Sequence, residues 1–557
     1  MIVFLLLSLA IIFGYEYVLK ELGFAPQPSP PENRTPLEGP SSPSSDSMTE
    51  KKDPGQAPPV APPPAMKNSQ SVGTGTPATE ADIVTVDTEL YRAKFSTRGA
   101  VITSWELKRY RESSDGQPAV QLVRQGAKFP GPLAVVVQDA SVTKALEEGL
   151  YSLEQDFSRL DDTHPSGHLT FRYHNPDKGL SLEKRLTFHA NSYVVDIEVI
   201  EQGIDGSMNV VLGTNFGIVE WGDGFIGLIG SASLVDGKME KETPDAEAER
   251  KGSVQWAALQ DKYFLSVLIP KQGSGVLVKK EGDKLVSTSV RVPVSQAGST
   301  AGLQLYAGPK EYDTLRSLQI GLEDTIDFGW FIFGSWGVVK AVAKPIFYVL
   351  RFLNDYTHNY GLTIVLLTIG IKMLFVPLQY KSYKSMKQMQ VIQPKVAAVQ
   401  EKFKDDRDRL NKELIKLYRD HKVNPVGGCL PMVLQMPVFV ALFNILYMTI
   451  DLRQAPLGLW ITDLSVQDPY YVLPIVMGVT MVIQQKITPT TMDPTQAKIM
   501  LMLPAFMTFL FINFPAGLVL YWLTNNTLTI LQQVMTDRFI FRHRSVIKEP
   551  SEVPAKK

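Results

Sequence analysis

A single cysteine, Cys429, occurs in the 557 residues, which excludes an intramolecular disulfide and any cysteine-based zinc site. Neither charge is in surplus, with 56 Lys and Arg against 57 Asp and Glu. Bulk positive charge for coating nucleic acid is therefore missing, and no direct DNA binding is expected. The chain also has no nucleophile elbow, no HExxH pair and no Walker A loop. It shows no recognisable catalytic centre and calls for no cofactor. With 44% apolar and 20% charged residues, the averages describe an ordinary soluble protein of two to four domains and exclude a wholly disordered chain. The averages mislead, because the apolar residues are unevenly placed.

Ile2 to Leu19 is almost continuously apolar, broken by Ser8 and Glu16. Eighteen helical residues rise about 27 Å, close to the hydrocarbon thickness of a bilayer. Similar runs return near the C-terminus. Gly361 to Leu378 carries one charge, Lys372, whereas Leu430 to Ile450, Tyr470 to Ile483, Ile499 to Phe514 and Ala516 to Met535 carry none. One buried globular helix explains one such run, but not five. We expect six transmembrane helices, one at the start and five at the end. A cleaved signal peptide competes for the first, with Gly23-Phe24-Ala25 as its site. An uncleaved anchor is favoured, because no Lys or Arg precedes the run and Pro26 follows the cut.

Lys and Arg in the loops set the expected orientation. Twelve fall between Tyr380 and Asn424, while Asp451 to Pro469 has only Arg453. The tail after Met535 is basic again, with Arg538, Arg542, Arg544 and Lys548. Both termini and the Lys-rich loop are then cytoplasmic, and the long segment after the first span lies outside.

Residues 25–80 hold 14 of the 38 prolines. Such a stretch buries too little apolar area to offset its ordering entropy and reads as a disordered tether. From 81 to 322 short β-like runs follow, such as Ile83-Val84-Thr85-Val86 and Gly275-Val276-Leu277-Val278, punctuated by Gly, Asp, Asn and Pro. They predict one large β-sandwich. A metal site at its histidines, His164, His168, His174 and His189, needs three or four converging ligands, which strand spacing alone does not show. His164 and His168 flank a Pro-Ser-Gly turn, so they read as solvated.

Residues 323–357 interleave Trp330, Phe331, Phe333, Trp336, Phe347, Tyr348 and Phe352 with Lys340, Lys344 and Arg351. This predicts an amphipathic helix in the outer interface, with a seventh span as the rival. Residues 380–424 predict a helical hairpin that turns at Lys404-Asp405-Asp406-Arg407.

After the hairpin comes Asn424-Pro425-Val426-Gly427-Gly428-Cys429-Leu430-Pro431, running into Gln435-Met436-Pro437. Leu452-Arg453-Gln454-Ala455-Pro456, Asp468-Pro469-Tyr470-Tyr471 and Phe514-Pro515-Ala516-Gly517-Leu518-Val519-Leu520-Tyr521-Trp522 follow in order. This string resembles the YidC family of membrane protein insertases from about Asp327 to Arg544. A looser likeness sits at Ser96-Thr97-Arg98-Gly99-Ala100 and Leu305-Tyr306-Ala307-Gly308-Pro309. The anchor, tether and large outer domain resemble the family's Gram-negative form.

The resemblance implies an α-helical transmembrane bundle of anchor plus five-helix core. It adds a cytoplasmic hairpin and an all-β periplasmic β-supersandwich similar to sugar-mutarotase folds. The divisions expected are 1–24 anchor, 25–80 tether, 81–322 β domain, 323–357 interfacial helix, 358–545 core and 546–557 tail. Spans fall at about 361–379, 430–450, 470–486, 497–514 and 516–535. Nascent membrane proteins are the implied substrates, with the Sec translocon, the ribosome and the lipid bilayer as partners.

A charge inside a membrane helix costs about 2.5–3.5 kcal/mol on insertion scales, so Lys372 needs a partner or water. It lies six residues before Leu378, roughly 9 Å from the interface, so a snorkelling lysine fits as well as a working charge. By resemblance, Lys372 falls where most family members carry an arginine that makes an intramembrane groove positive. Lysine keeps the charge but loses the bidentate fork. Thr368, Gln435, Asn525 and Asn526 supply further polar groups, with Tyr521 and Trp522 one turn earlier on the last helix. Interhelical hydrogen bonding is the commoner role of such groups; their company with Lys372 suggests a wet cavity. Thr368, Tyr521 and Trp522 match positions that in the family lie near the incoming segment. The reading is a membrane protein insertase and not an enzyme. A secondary transporter or a membrane-tethered carbohydrate protein are the alternatives.

Overall fold

Short runs with alternating apolar residues form antiparallel strands because successive side chains take opposite faces. Tyr91–Ser96 shows this directly, with Tyr91, Ala93 and Phe95 buried and Arg92 and Lys94 exposed. The structure, a computed structural model, describes residues 81–541 except 113–117, 124–130, 220–228, 243–246, 295–297, 327–336, 404–405, 422, 424–429 and 489–493. The described residues belong to one compact unit, Val72–Lys557. The expected anchor, tether and C-terminal tail lie outside them. So does most of the motif around Cys429.

Three antiparallel sheets build the N-terminal part. The largest has nine strands, in the spatial order Lys238–Glu242, Gly230–Val235, Val254–Gln260, Phe264–Pro270, Ser299–Pro309, Val194–Gln202, Leu180–His189, Ser166–Asn175 and Ser152–Gln155. A five-stranded sheet runs Ala248–Lys251, Gly275–Gly282, Leu285–Pro293, Ser207–Thr214, Val135–Val137. A four-stranded meander spans Ile83–Asp87, Tyr91–Ser96, Val101–Arg111 and Ala119–Gln121. Trp105, Trp256, Tyr91, Phe95, Phe171 and Phe188 are fully buried among them. Two short helices follow strands of this part: α1 (Ala140–Glu148), which packs beside the edge strand Val135–Val137, and α2 (Tyr312–Ser317), after Ser299–Pro309. Of the four histidines read as solvated, His164 sits in an exposed turn, while His189 Nε2 lies 3.1 Å from Asp196 Oδ2.

The C-terminal part is helical. Helix α3 (Gly337–Thr357) buries Val339, Ala343, Phe347 and Leu350 on one stripe and exposes Tyr348, Val349, Phe352 and Tyr356 on the other. Helix α4 (Tyr360–Lys402) runs 43 residues, so the expected span and the first hairpin helix form one uninterrupted element. From Gln379 onward its sequence is rich in Lys, Gln, Met and Ala, all good helix formers. Helix α5 (Arg407–Asp420) folds back along it, with His421 Nε2 3.0 Å from Lys395 Nζ. Then come α6 (Leu430–Met448), α7 (Val472–Ile487), α8 (Pro494–Phe511) and α9 (Ala516–Met535). Among the described residues α4 alone is both long and apolar enough to cross a membrane. Val433–Met448, Val472–Ile487 and Met502–Phe511 are shorter apolar helices.

The loop from Thr449 to Tyr471 gathers the ends of these helices. Asn359, which caps α4, donates from Nδ2 to Leu457 O at 3.3 Å. The amides of Ala516 and Gly517, at the start of α9, donate to Val466 O and Leu464 O at 2.7 and 2.9 Å. Buried Asp468 accepts from Trp460 Nε1 at 3.0 Å and from Leu473 N, at the start of α7, at 2.7 Å. Helices α4, α7 and α9 therefore all leave from one face. The β domain touches that same face.

Candidate functional site

Helices α4 and α9 start together and run side by side, so residues at equal distances along them meet. Lys372 is 12 residues past Tyr360, about 18 Å of rise, and Thr529 is 13 residues past Ala516, about 20 Å. Lys372 Nζ donates to Thr529 Oγ1 at 2.8 Å. That hydroxyl already donates its own proton to Asn525 O, one turn back, at 2.6 Å, so toward Lys372 it accepts. Among the described residues no carboxylate forms an ion pair with Lys372. The lysine is only 6% exposed.

The surroundings invert the pattern of a soluble bundle. Beyond Leu367 the buried residues of α4 are Thr368, Lys372, Gln379, Ser382 and Ile392, polar but for the last. Those of α9 beyond Tyr521 are Asn526 and Gln533. Met373, Leu374 and Val376, beside Lys372 in sequence, are exposed. Around Lys372 apolar side chains thus face outward and polar ones inward, the arrangement of helices solvated by lipid around a polar seam. Gln379 Oε1 and Asn526 Nδ2 are buried and find no hydrogen-bond partner among the described residues. At the far end Gln533 Nε2 reaches Ile487 O at 2.8 Å, and Lys387 pairs with Asp537 at 2.7 Å.

The structure brings some expected site residues together and separates others. Gln435 on α6 reaches Asn525 Oδ1 at 3.4 Å, one turn from Thr529. Thr368 is buried and donates to Ile364 O of its own helix at 2.6 Å. Tyr521 and Trp522 sit about two turns away, in an aromatic cluster. Phe439 lies 6.1 Å from the Tyr521 ring and 4.9 Å from that of Trp522, and Phe511 lies 4.7 Å from Trp522. They wall the seam rather than touch Lys372. Thr529 was missed by sequence reasoning, although it continues the polar stripe that starts at Asn525, four residues earlier.

No group of three or more His, Cys, Asp or Glu able to hold a metal occurs among the described residues. The larger described pocket, about 430 Å³, lies in the β domain between Arg109, Tyr193, Tyr306 and Glu311, away from Lys372.

A polar, cation-bearing seam inside an apolar helical bundle, joined to a large β domain, places the chain among multi-span membrane proteins with a large extramembrane domain. Residues 352–543 match the family model described as 60Kd inner membrane protein, and 83–349 match that of the YidC periplasmic domain. A membrane protein insertase YidC from Geotalea daltonii is 41% identical over 483 residues, covering 82% of this chain and 86% of that one. Its counterpart from Oleidesulfovibrio alaskensis is 36% identical over 554 residues, covering 96% and 98%. A solved structure described as an active YidC insertase aligns over 82% of this chain and 93% of its own, at 16% identity and a TM-score of 0.35. The chain belongs to the YidC family of membrane protein insertases. As a member it is an inner membrane protein with a periplasmic domain, and an insertase rather than an enzyme.

Proposed function

We propose that insertion runs through the seam between α4 and α9, entered from the cytoplasm and open sideways to lipid when the helices part. The observation that carries this reading is Lys372, a buried cation with a neutral partner inside an apolar bundle. It attracts acidic groups of a short hydrophilic segment. Thr368, Gln435, Asn525 and Asn526 replace part of that segment's lost water, and Tyr521 and Trp522 form the wall on the outer side. The substrate's own apolar helix then partitions into lipid, at about 0.8 kcal/mol per buried CH₂ group, which drives release without a nucleotide.

The topology follows the same logic. The chain crosses at α4, α6, α7, α8 and α9, with the N-terminal run as a sixth span. The loop at 449–471 lies on the side of the periplasmic domain, and both termini lie in the cytoplasm. Helix α5 and the end of α4 form a cytoplasmic hairpin. Its Lys and Arg, with the basic tail, fit contact with the ribosome and its nascent chain, and the Sec translocon is a second partner.

Lys372→Glu in cells depleted of their native insertase tests the path. Insertion of small single- and double-span substrates is expected to drop at least tenfold, since attraction becomes repulsion in a low-dielectric site. Undiminished insertion rules out the charged path.

A further inference from the structure

We propose that Thr529 is the positioning residue that makes Lys372 a working charge; this rests on the reading of the seam as the substrate path. A lysine about 9 Å from the interface has a long, flexible stem and an easy alternative, which is to snorkel its ammonium out to water. Thr529 removes that alternative. Its single proton is committed to Asn525 O at 2.6 Å, so its oxygen presents lone pairs to Lys372 Nζ at 2.8 Å. An ammonium has three donors. Thr529 takes one, and among the described residues no other group accepts from Lys372 Nζ.

The identity of the acceptor matters as much as its position. A carboxylate at 529 would hold the ammonium equally well but neutralise it, and the seam would lose its field. A hydroxyl holds the cation and leaves its charge uncompensated, with two N–H groups for an incoming carboxylate. Thr529 thereby sets a preference for acidic translocated segments. The unpartnered Gln379 Oε1 and Asn526 Nδ2 on the same two helices offer an acceptor and a donor to the backbone of such a segment.

The test uses the full-length chain in proteoliposomes and two single-span substrates. Their translocated tails differ only in carrying two Asp or two Asn, and the readout is the ratio of Asp-tail to Asn-tail insertion. Thr529→Val is expected to lower that ratio about tenfold, the size of one charge-assisted hydrogen bond. Thr529→Asp is expected to lower it as far, by neutralisation. Thr529→Ser, which keeps the hydroxyl, is expected to hold the ratio within about twofold of wild type. If Thr529→Val reduces both tails in proportion, the residue is merely structural and the inference falls. If the ratio is untouched in Thr529→Val but collapses in Lys372→Glu, the inference falls and the path stands. If neither variant changes it, the path itself is wrong.

Discussion

Lys184 shows how a single side chain can organise a domain without announcing itself in the sequence. It is 2% exposed, and its Nζ donates to Gly99 O, Ala100 O and Leu133 O at 2.9, 3.0 and 2.8 Å. Gly99 and Ala100 both have positive φ, 71° and 49°, which turns these carbonyls inward. A Cβ at Gly99 would sit 2.9 Å from Glu147 O, so the Arg98-Gly99-Ala100 turn has a physical reason for its glycine. Lys184→Met leaves three buried carbonyls unpaired, which costs at least about 3 kcal/mol. The β-domain melting transition of the full-length protein should fall by about 6–10 °C; an unchanged transition refutes the role. Burial pulls the Lys184 pKa from 10.5 down to about 7. Across that window the unfolded chain holds a proton that the folded chain gives up, so wild-type stability rises with pH, and the variant loses that rise. The Ser96–Ala100 string was visible in the sequence, but Lys184, over 80 residues away, was not. Thr529 escaped for a related reason. A hydroxyl on a helix gains meaning only when another helix brings it a charge.

At the level of elements, hydrophobic runs located the helices well because lipid-facing segments have no polar face to dilute the signal. The run Ala516 to Met535 coincides with α9, and Leu430 to Ile450 ends two residues beyond α6. Helix α4 was harder. Its first half is apolar and its second half Lys-rich, so a change of composition at Leu378 looked like a change of element, yet the backbone continues to Lys402. The loop at 449–471 held a second surprise. Leu459 is 93% exposed at φ 58°, next to Gly458 at φ 115°, in a turn closed by pairing of Gly458 with Ile461. A left-handed Leu costs about 1–2 kcal/mol, and solvent exposure adds to this. The turn is held against the start of α4 by Asn359 and by Leu457 over Gly361. Leu459 is exposed near the start of α4, where Leu362 is exposed too, and an apolar side chain held out there is expected to meet lipid. A nitrobenzoxadiazole label on Leu459→Cys, in a Cys429→Ser chain, should show blue-shifted emission in liposomes and quenching by lipid-borne nitroxides. Water-like emission overturns this placement.

For the whole molecule, the question is how the periplasmic β domain is tied to the helical part. The sequence suggested a boundary near residue 322, and helix α3 starts at Gly337. It could not show that the two parts grip each other again farther along. Arg351 of α3 pairs with Asp313 of α2 at 2.5 Å, and Tyr312 packs on Phe347. A second grip is formed at the loop between α6 and α7. Arg453 donates to Arg111 O and Glu112 O at 3.0 and 3.2 Å and stacks over Tyr263 and Phe264, while Lys262 sits 3.6 Å from the Tyr447 ring centre. Two attachments on different sides of the boundary resist rotation, whereas a single one acts as a hinge. Removing Arg453 should release the second grip and leave the first. With charge-assisted bonds to carbonyls and stacking on two rings, the loss is about 2 kcal/mol. In a Cys429→Ser chain carrying Glu112→Cys and Gln454→Cys, a short bis-maleimide should link the pair efficiently. Arg453→Ala should cut the yield severalfold, while linkage between Lys144→Cys and Glu148→Cys, within α1 alone, stays as it was. Equal yields at 112–454 with and without Arg453 would mean that the β domain is held at this face by other contacts.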